Sequence, residues 1–249
     1  MSLTLAGCAS EPGDAAAADS VPIARAARED GSLASVPGDR NGPTRPVASG
    51  GAASSPDAAI KPALLFIGTS LTAGYGLDPD DAFPAVVGRM LDSAGHPARI
   101  FNSGISGETS AGARARIEWV LRQPADVVVL ETGANDGLRG LSVNAARDNI
   151  QAILDRIRTT KPRARVLLVQ MEALPNLGAT YTGAFRAIYP ELAKKNRVEL
   201  VPFMLAGVAG IPSLNQEDGV HPNRAGARIV ARHIYDAIIS HPLIASANR

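Results

Sequence analysis

Four short segments hold the residues best suited to chemistry. The first, Gly68-Thr69-Ser70-Leu71-Thr72-Ala73-Gly74-Tyr75-Gly76, puts a serine just past an apolar run. A serine there suits a nucleophile, and backbone N–H groups around it can stabilise an oxyanion. The same segment also fits a phosphate cradle of the kind flavin-binding folds use. It lacks the lysine of a P-loop, and Thr72 stands where a nucleophile elbow needs its second glycine. The second segment, Asn102-Ser103-Gly104-Ile105-Ser106-Gly107-Glu108-Thr109-Ser110, offers the Gly107 N–H with no side chain in the way. A plain Gly/Ser turn, with Thr109 or Ser110 capping a helix, explains that stretch equally well. In the third, Gly133-Ala134-Asn135-Asp136-Gly137-Leu138-Arg139-Gly140, the Asn135 amide could donate to an oxyanion, although Asn-Asp-Gly is also a turn former. The fourth, Asp218-Gly219-Val220-His221-Pro222-Asn223, sets an acid and a base three residues apart. A serine hydrolase needs that pair: a base, and an acid that fixes the base's tautomer. His96 and His241 precede prolines and His233 falls inside a predicted helix, which leaves His221. No second His or Cys stands at a useful ligand spacing, so no metal site is expected.

Each segment follows an element that would hold it in place. Ala63-Leu64-Leu65-Phe66-Ile67 runs into Gly68, and Arg99-Ile100-Phe101-Asn102 into Ser103. Asp126-Val127-Val128-Val129-Leu130 runs into Glu131. Arg165-Val166-Leu167-Leu168-Val169-Gln170 stops near Met171, and Val198-Glu199-Leu200-Val201 at Pro202. Near-continuous apolar runs of this length read as strands covered on both faces. Helical spacing fills the gaps over 83–94, 111–122, 143–159, 183–195 and 223–239. Strand and helix alternating about five times give an α/β class with a parallel sheet and right-handed crossovers. Chemistry in such a sheet collects outside the carboxyl ends of the strands, where these segments lie.

The rest of the composition narrows the field. In 249 residues, 25 Lys+Arg balance 24 Asp+Glu to a net charge of +1. That argues against a nucleic-acid partner, which calls for a basic excess or patch. A single cysteine rules out an internal disulfide framework. No stretch approaches the roughly 18–20 consecutive apolar residues of a membrane span. Residues 1–61 are rich in Ala, Gly, Pro, Ser and Asp, have no aromatic side chain, and read as a disordered tether ahead of a 62–249 domain. Near its start, Leu5-Ala6-Gly7-Cys8 resembles a bacterial lipobox, in which the cysteine becomes lipidated. The signal-peptide half of that pattern is short, since seven residues precede Cys8 and none is Lys or Arg. The lipobox implies a periplasmic or secreted protein, or an outer-membrane lipoprotein anchored through Cys8. A start at Met1 would imply the cytoplasm, with Cys8 an ordinary thiol.

Taken in order, the serine, glycine, asparagine and histidine segments resemble the four blocks of the SGNH, or GDSL-type, hydrolase family. The likeness is to its thioesterase I, lysophospholipase L1 and arylesterase branch, and covers about Pro62 to His241. Ser70–Gly76, Asn135–Gly140, Ala187-Ile188-Tyr189-Pro190 with Leu192-Ala193-Lys194, and Asp218–Arg224 all carry it. The resemblance implies Ser70 as nucleophile, His221 as general base and then acid, and Asp218 as its orienting partner. It implies an oxyanion hole from the N–H of Ser70, the N–H of Gly107 and the side chain of Asn135. Gly107 is taken over Gly104 as the glycine of the Ile-Ser-Gly-acid-Thr-Ser string. The implied fold is a three-layer α/β/α sandwich on a flavodoxin-like five-stranded parallel sheet. The implied substrates are small-molecule esters or lipids: aryl esters, short- and medium-chain acyl esters, thioesters and lysophospholipids. No cofactor is implied. In this branch the loop after strand four, here Ala173–Tyr181, lines the acyl site. One departure stands out. The first block usually has an acidic residue before the serine, and here it is Thr69. That acid is no triad member, so activity is expected to survive, and the change bears on loop rigidity and pH profile. Competing readings are a carbohydrate acetylesterase, a flavodoxin-like FMN-binding module, and a catalytically dead lipid- or carbohydrate-binding relative.

Overall fold

A computed structural model of the chain describes residues 61–240. The tether, apart from Lys61, and the lipobox cysteine Cys8 lie outside the described residues. Five strands form at the expected runs: β1 (Ala63–Gly68), β2 (Arg99–Gly104), β3 (Val127–Glu131), β4 (Arg165–Val169) and β5 (Glu199–Val201). All pairings are parallel, in the order β2-β1-β3-β4-β5. That is the flavodoxin-like order. Ala63 to Ile67 are fully buried, as a central strand covered on both faces must be. Each such Leu or Ile side chain contributes about 1.5–3 kcal/mol through burial. Edge strand β2 is only partly covered, so its Arg99 and Asn102 are tolerated.

Helices α2 (Phe83–Ser93) and α7 (Arg224–Ile239) pack together. Helix α5 (Val143–Thr160) packs between α3 (Ser110–Val120) and α6 (Ala179–Asn196). Right-handed crossovers put the two groups on opposite faces of the sheet, which makes the three layers. The chain leaves β1 for β2 on one side and returns to β3 on the other. The loops after β1 and β3 therefore part at that switch point and open a crevice. Among the described residues no helix is long and apolar enough to cross a membrane.

The structure departs from the sequence pattern in three places. Two short helices, α1 (Ser70–Ala73) and α4 (Ala134–Leu138), form inside stretches that read as loop or turn. Helix α6 starts at Ala179, four residues before the expected Gly183. Tyr181 accounts for the earlier start: its ring stacks on Phe185 one turn on, at 6.1 Å, and its hydroxyl donates to the Leu141 carbonyl at 2.7 Å.

Candidate active site

Ser70 opens α1 directly after β1, with Thr69 as the N-cap and Gly74 closing the turn in the left-handed region at φ 75°. His221 and Asp218 come from the loop before α7, whose cap Asn223 accepts from the N–H groups of Ala225 and Gly226. The fold brings these two loops together across 151 residues. His221 Nε2 lies 2.8 Å from Ser70 Oγ, and His221 Nδ1 lies 2.6 Å from Asp218 Oδ2. Asp218 Oδ1 accepts from the backbone N–H of His221 at 3.0 Å and of Val220 at 2.9 Å. These bonds, led by the backbone N–H of His221, hold the Asp218 carboxyl at a pKa of about 2, below its ordinary 3.8. It is therefore anionic at neutral pH, and its contact with Nδ1 favours the tautomer whose Nε2 can take a proton from Ser70.

The glycines and the asparagine resolve in the same way. A Cβ on Gly104 would fall 2.2 Å from the backbone nitrogen of Ala73, so Gly104 is needed for β2 to abut α1. Gly107 has φ +78° and open space where its Cβ would be, with Arg139 Nη2 at 3.8 Å as its nearest neighbour. Neither the Ser70 nor the Gly107 N–H has an acceptor among the described residues. Asn135 is 9% exposed, and its Nδ2 donates to the Glu108 carbonyl at 3.0 Å. An amide nitrogen carries two hydrogens, so one remains for a ligand. Asn135 lines the same cleft as Ser70 and His221, and Gly107 is one peptide away through Glu108.

Several supporting residues escaped the sequence reading. Arg116 forks onto Glu108, with Nη2 to Oε2 at 2.6 Å, and also donates to the Ser103 carbonyl at 2.8 Å. That bidentate pair is largely buried and ties the Gly107 segment to the end of β2. Asp136 accepts from the N–H and hydroxyl of Ser110, at 2.8 and 2.6 Å, which fastens α4 to the start of α3. The Tyr75 ring lies 4.6 Å from that of His221, and the Tyr75 carbonyl accepts from Gln216 at 2.7 Å. Glu131, at the end of β3, is fully buried against the first loop. The Tyr189 hydroxyl donates to the Thr132 carbonyl at 2.9 Å just beyond it. In the sequence, Glu131 marks only the end of an apolar run. A charged residue in that place, where the pattern predicts burial, is the signal that could have singled it out.

Comparison with known proteins supplies the family. Residues 66–229 match the model of the GDSL-like lipase/acylhydrolase family. The chain belongs to that family. Membership places it among carboxylic ester hydrolases. It is 36% identical over 177 residues to the protein named Esterase TesA of Pseudomonas aeruginosa, an alignment covering 70% of this chain and 87% of that one. It is 37% identical over 175 residues to Thioesterase 1/protease 1/lysophospholipase L1 of Escherichia coli K12, covering 70% and 82%. The crystal structure of AlinE4, an SGNH-hydrolase family esterase, superposes with a TM-score of 0.61 at 42% identity, covering 72% of this chain and 96% of that one.

For a member of this family, the shape beside Ser70 is informative. A cleft of about 390 Å³ opens at Ser70 and His221. Leu71, Leu138, Met171, Leu174, Phe203 and Val220 make most of its lining apolar. Of the loop Ala173–Tyr181, Ala173, Leu174 and Pro175 reach the cleft. Tyr181 instead sits on α6 and packs beneath α4, so the expected lining loop contributes only its first part.

Proposed function

We propose that the chain is a serine esterase acting through a Ser70–His221–Asp218 triad and an acyl-enzyme. Its substrates are carboxylic esters with aryl or short- to medium-chain acyl groups, with thioesters and lysophospholipids within reach of the same chemistry. One observation carries the reading: the unbroken hydrogen-bonded line from Ser70 Oγ through both ring nitrogens of His221 to Asp218. In the proposed reaction Ser70 Oγ attacks the ester carbonyl carbon as its proton passes to His221 Nε2. The oxyanion is met by the N–H groups of Ser70 and Gly107 and by the Asn135 amide. His221 then protonates the leaving oxygen as its bond to carbon breaks, which leaves an acyl group on Ser70. Water attacks this ester, its proton goes to His221, and the collapse returns that proton to Ser70 and releases the acid. Asp218 stays ionised throughout and steadies the imidazolium.

The apolar cleft supports an acyl chain over a sugar as the group beside Ser70. An FMN module would leave the Ser70–His221–Asp218 line without a purpose. The test is hydrolysis of p-nitrophenyl esters from acetate to palmitate by the wild type and Ser70→Ala. The variant is expected to lose about 10⁴- to 10⁶-fold in kcat, and equal rates would overturn the mechanism. The Leu5–Cys8 string supports periplasmic or outer-membrane placement through a lipidated cysteine. Mass spectrometry of the native protein tests it: acyl mass on a chain beginning at Cys8 is expected, and an unmodified Met1 start would refute it.

A further inference from the structure

The turn that carries Ser70 is built around a carboxylate that the proposed reaction does not use. Glu131 is fully buried at the end of β3, beneath the first loop. Its Oε2 accepts from the Thr69 N–H at 2.8 Å and the Thr72 hydroxyl at 2.9 Å. The Thr69 hydroxyl donates to Oε1 at 3.0 Å, with Oε2 at 3.1 Å. These donors bracket Ser70, one residue before it and two after. A Cβ on Gly68 would lie 2.0 Å from Thr72 Oγ1 and 2.5 Å from Glu131 Oε2. The backbone before the serine is therefore cut back to admit the carboxylate and its hydroxyl partner.

A carboxylate answered only by neutral donors is a poor device for stability, because burial without a cation costs folding free energy. The guanidinium that reaches this corner, Arg116, gives its closer bonds to Glu108 and the Ser103 carbonyl and meets Gly68 only through a carbonyl oxygen. A costly group kept directly under the nucleophile calls for a reason other than folding. We propose that Glu131 is the positioning residue for the nucleophile, and that the Thr69 hydroxyl is the donor through which it sets the Ser70 turn. Glu131 touches no reacting atom. Its action runs through Thr69 and Thr72, which fix the α1 backbone and with it the direction of Ser70 Oγ toward His221. Burial, the largest influence, pushes the Glu131 pKa up, against the hydrogen bonds from Thr69 and Thr72. The inference also assigns a task to the departure at position 69. Threonine supplies a hydroxyl proton to Glu131, whereas an aspartate there would set two carboxyls in contact and force a proton between them.

The proposal rests on the esterase reading, and the experiment separates the two. Full-length wild type, Glu131→Gln, Thr69→Val, Thr69→Ser and Ser70→Ala are assayed on p-nitrophenyl butyrate. Their rates of Ser70 modification by a p-nitrophenyl phosphonate are measured alongside, with thermal melts. Glu131→Gln keeps the shape but turns an N–H donor toward donors. Thr69→Val keeps the shape and deletes one hydroxyl. Both are expected to lose about 10- to 100-fold in kcat, with KM changed less than about threefold and phosphonylation slowed in proportion to kcat. Thr69→Ser should recover most of the rate. Folded Glu131→Gln and Thr69→Val with kcat within about twofold of wild type would overturn the proposal, as would an effect on KM alone. So would Thr69→Ser as slow as Thr69→Val. If Glu131→Gln does not fold, the Thr69 pair decides. A wild type that hydrolyses the ester and is silenced by Ser70→Ala upholds the esterase reading whatever these variants do. A wild type inert to ester and phosphonate overturns both.

Discussion

The two halves of the site are held by opposite means. The Ser70 turn is buried, with Thr69 and Thr72 at 1% exposure over a carboxylate at 0%. It is fixed by contacts that span some 60 residues of chain. The Asp218–His221 half lies near the surface and is fixed largely by itself: one carboxylate takes the ring Nδ1 and two backbone N–H groups within three residues. Among the described residues, help from elsewhere in the chain comes from the first loop, where the Tyr75 carbonyl accepts from Gln216, the Tyr75 ring meets that of His221 and Ser70 bonds to Nε2, and from Asp81, which pairs with Arg224 just beyond. The nucleophile is thus placed by the core, whereas the base is placed by local hydrogen bonds. The first arrangement spends stability to fix geometry, and the second depends on one side chain.

This contrast predicts the largest loss, after the triad serine itself, at Asp218. Asp218→Asn keeps an oxygen for the backbone N–H groups but turns an amide toward Nδ1, which selects the wrong tautomer. It should lower kcat by about 10⁴-fold with the fold intact. A loss under about tenfold would show that the base loop does not depend on that one residue. Next comes Asn135, where Asn135→Ala removes one oxyanion donor. A fall of about 10²–10³ in kcat, or about 2.7–4 kcal/mol, is expected, with little change in KM. A rise in KM alone would instead make Asn135 a substrate-binding group.

The smallest effect sharpens the comparison through pH. Asp218 has a folded pKa of about 2 against 3.8. Its contribution to stability is present above about pH 4 and is lost as pH falls toward 2. Glu131 is shifted the other way, above 4.5. The folded state binds its proton more tightly than the unfolded state does, so stability falls as pH rises above 4.5 through the raised pKa. Melts of wild type and Glu131→Gln across this range should diverge as pH rises, with the wild type losing ground. Each kcal/mol of divergence corresponds to about 2–4 °C in a chain of this size. A constant gap would mean that Glu131 carries no ionisation penalty.

How much of this was readable from sequence follows the same division. The five strands were legible because central parallel strands are apolar on both faces, as in Leu64–Ile67 and Val127–Leu130. Their carboxyl ends then singled out the segments with Ser70, Gly107, Asn135 and His221. Helices α1 and α4 were not legible, since four or five residues are too few to show a period of 3.6. The start of α6 is not legible because the helix buries no residue before Phe185, and because the Tyr181 bond to the Leu141 carbonyl spans 40 residues of chain. Glu131 and Arg116 were passed over because their partners lie 62 and 8–48 residues away. Asp218 and His221 were readable as a pair because their contact is local.

The buried hydroxyl of Tyr189 gives the molecule its own optical reporter. Burial, and then the negative charge of Glu131 and Asp136, pushes this phenol well above the ordinary tyrosine value of 10. It stays protonated in alkaline solution for as long as α6 covers the end of β3. Any phenolate absorbance it contributes therefore marks the opening of that corner. The part of the alkaline phenolate absorbance that Tyr189→Phe removes, in a chain of four tyrosines, then reports the loosening of the floor beneath Ser70 without label or substrate.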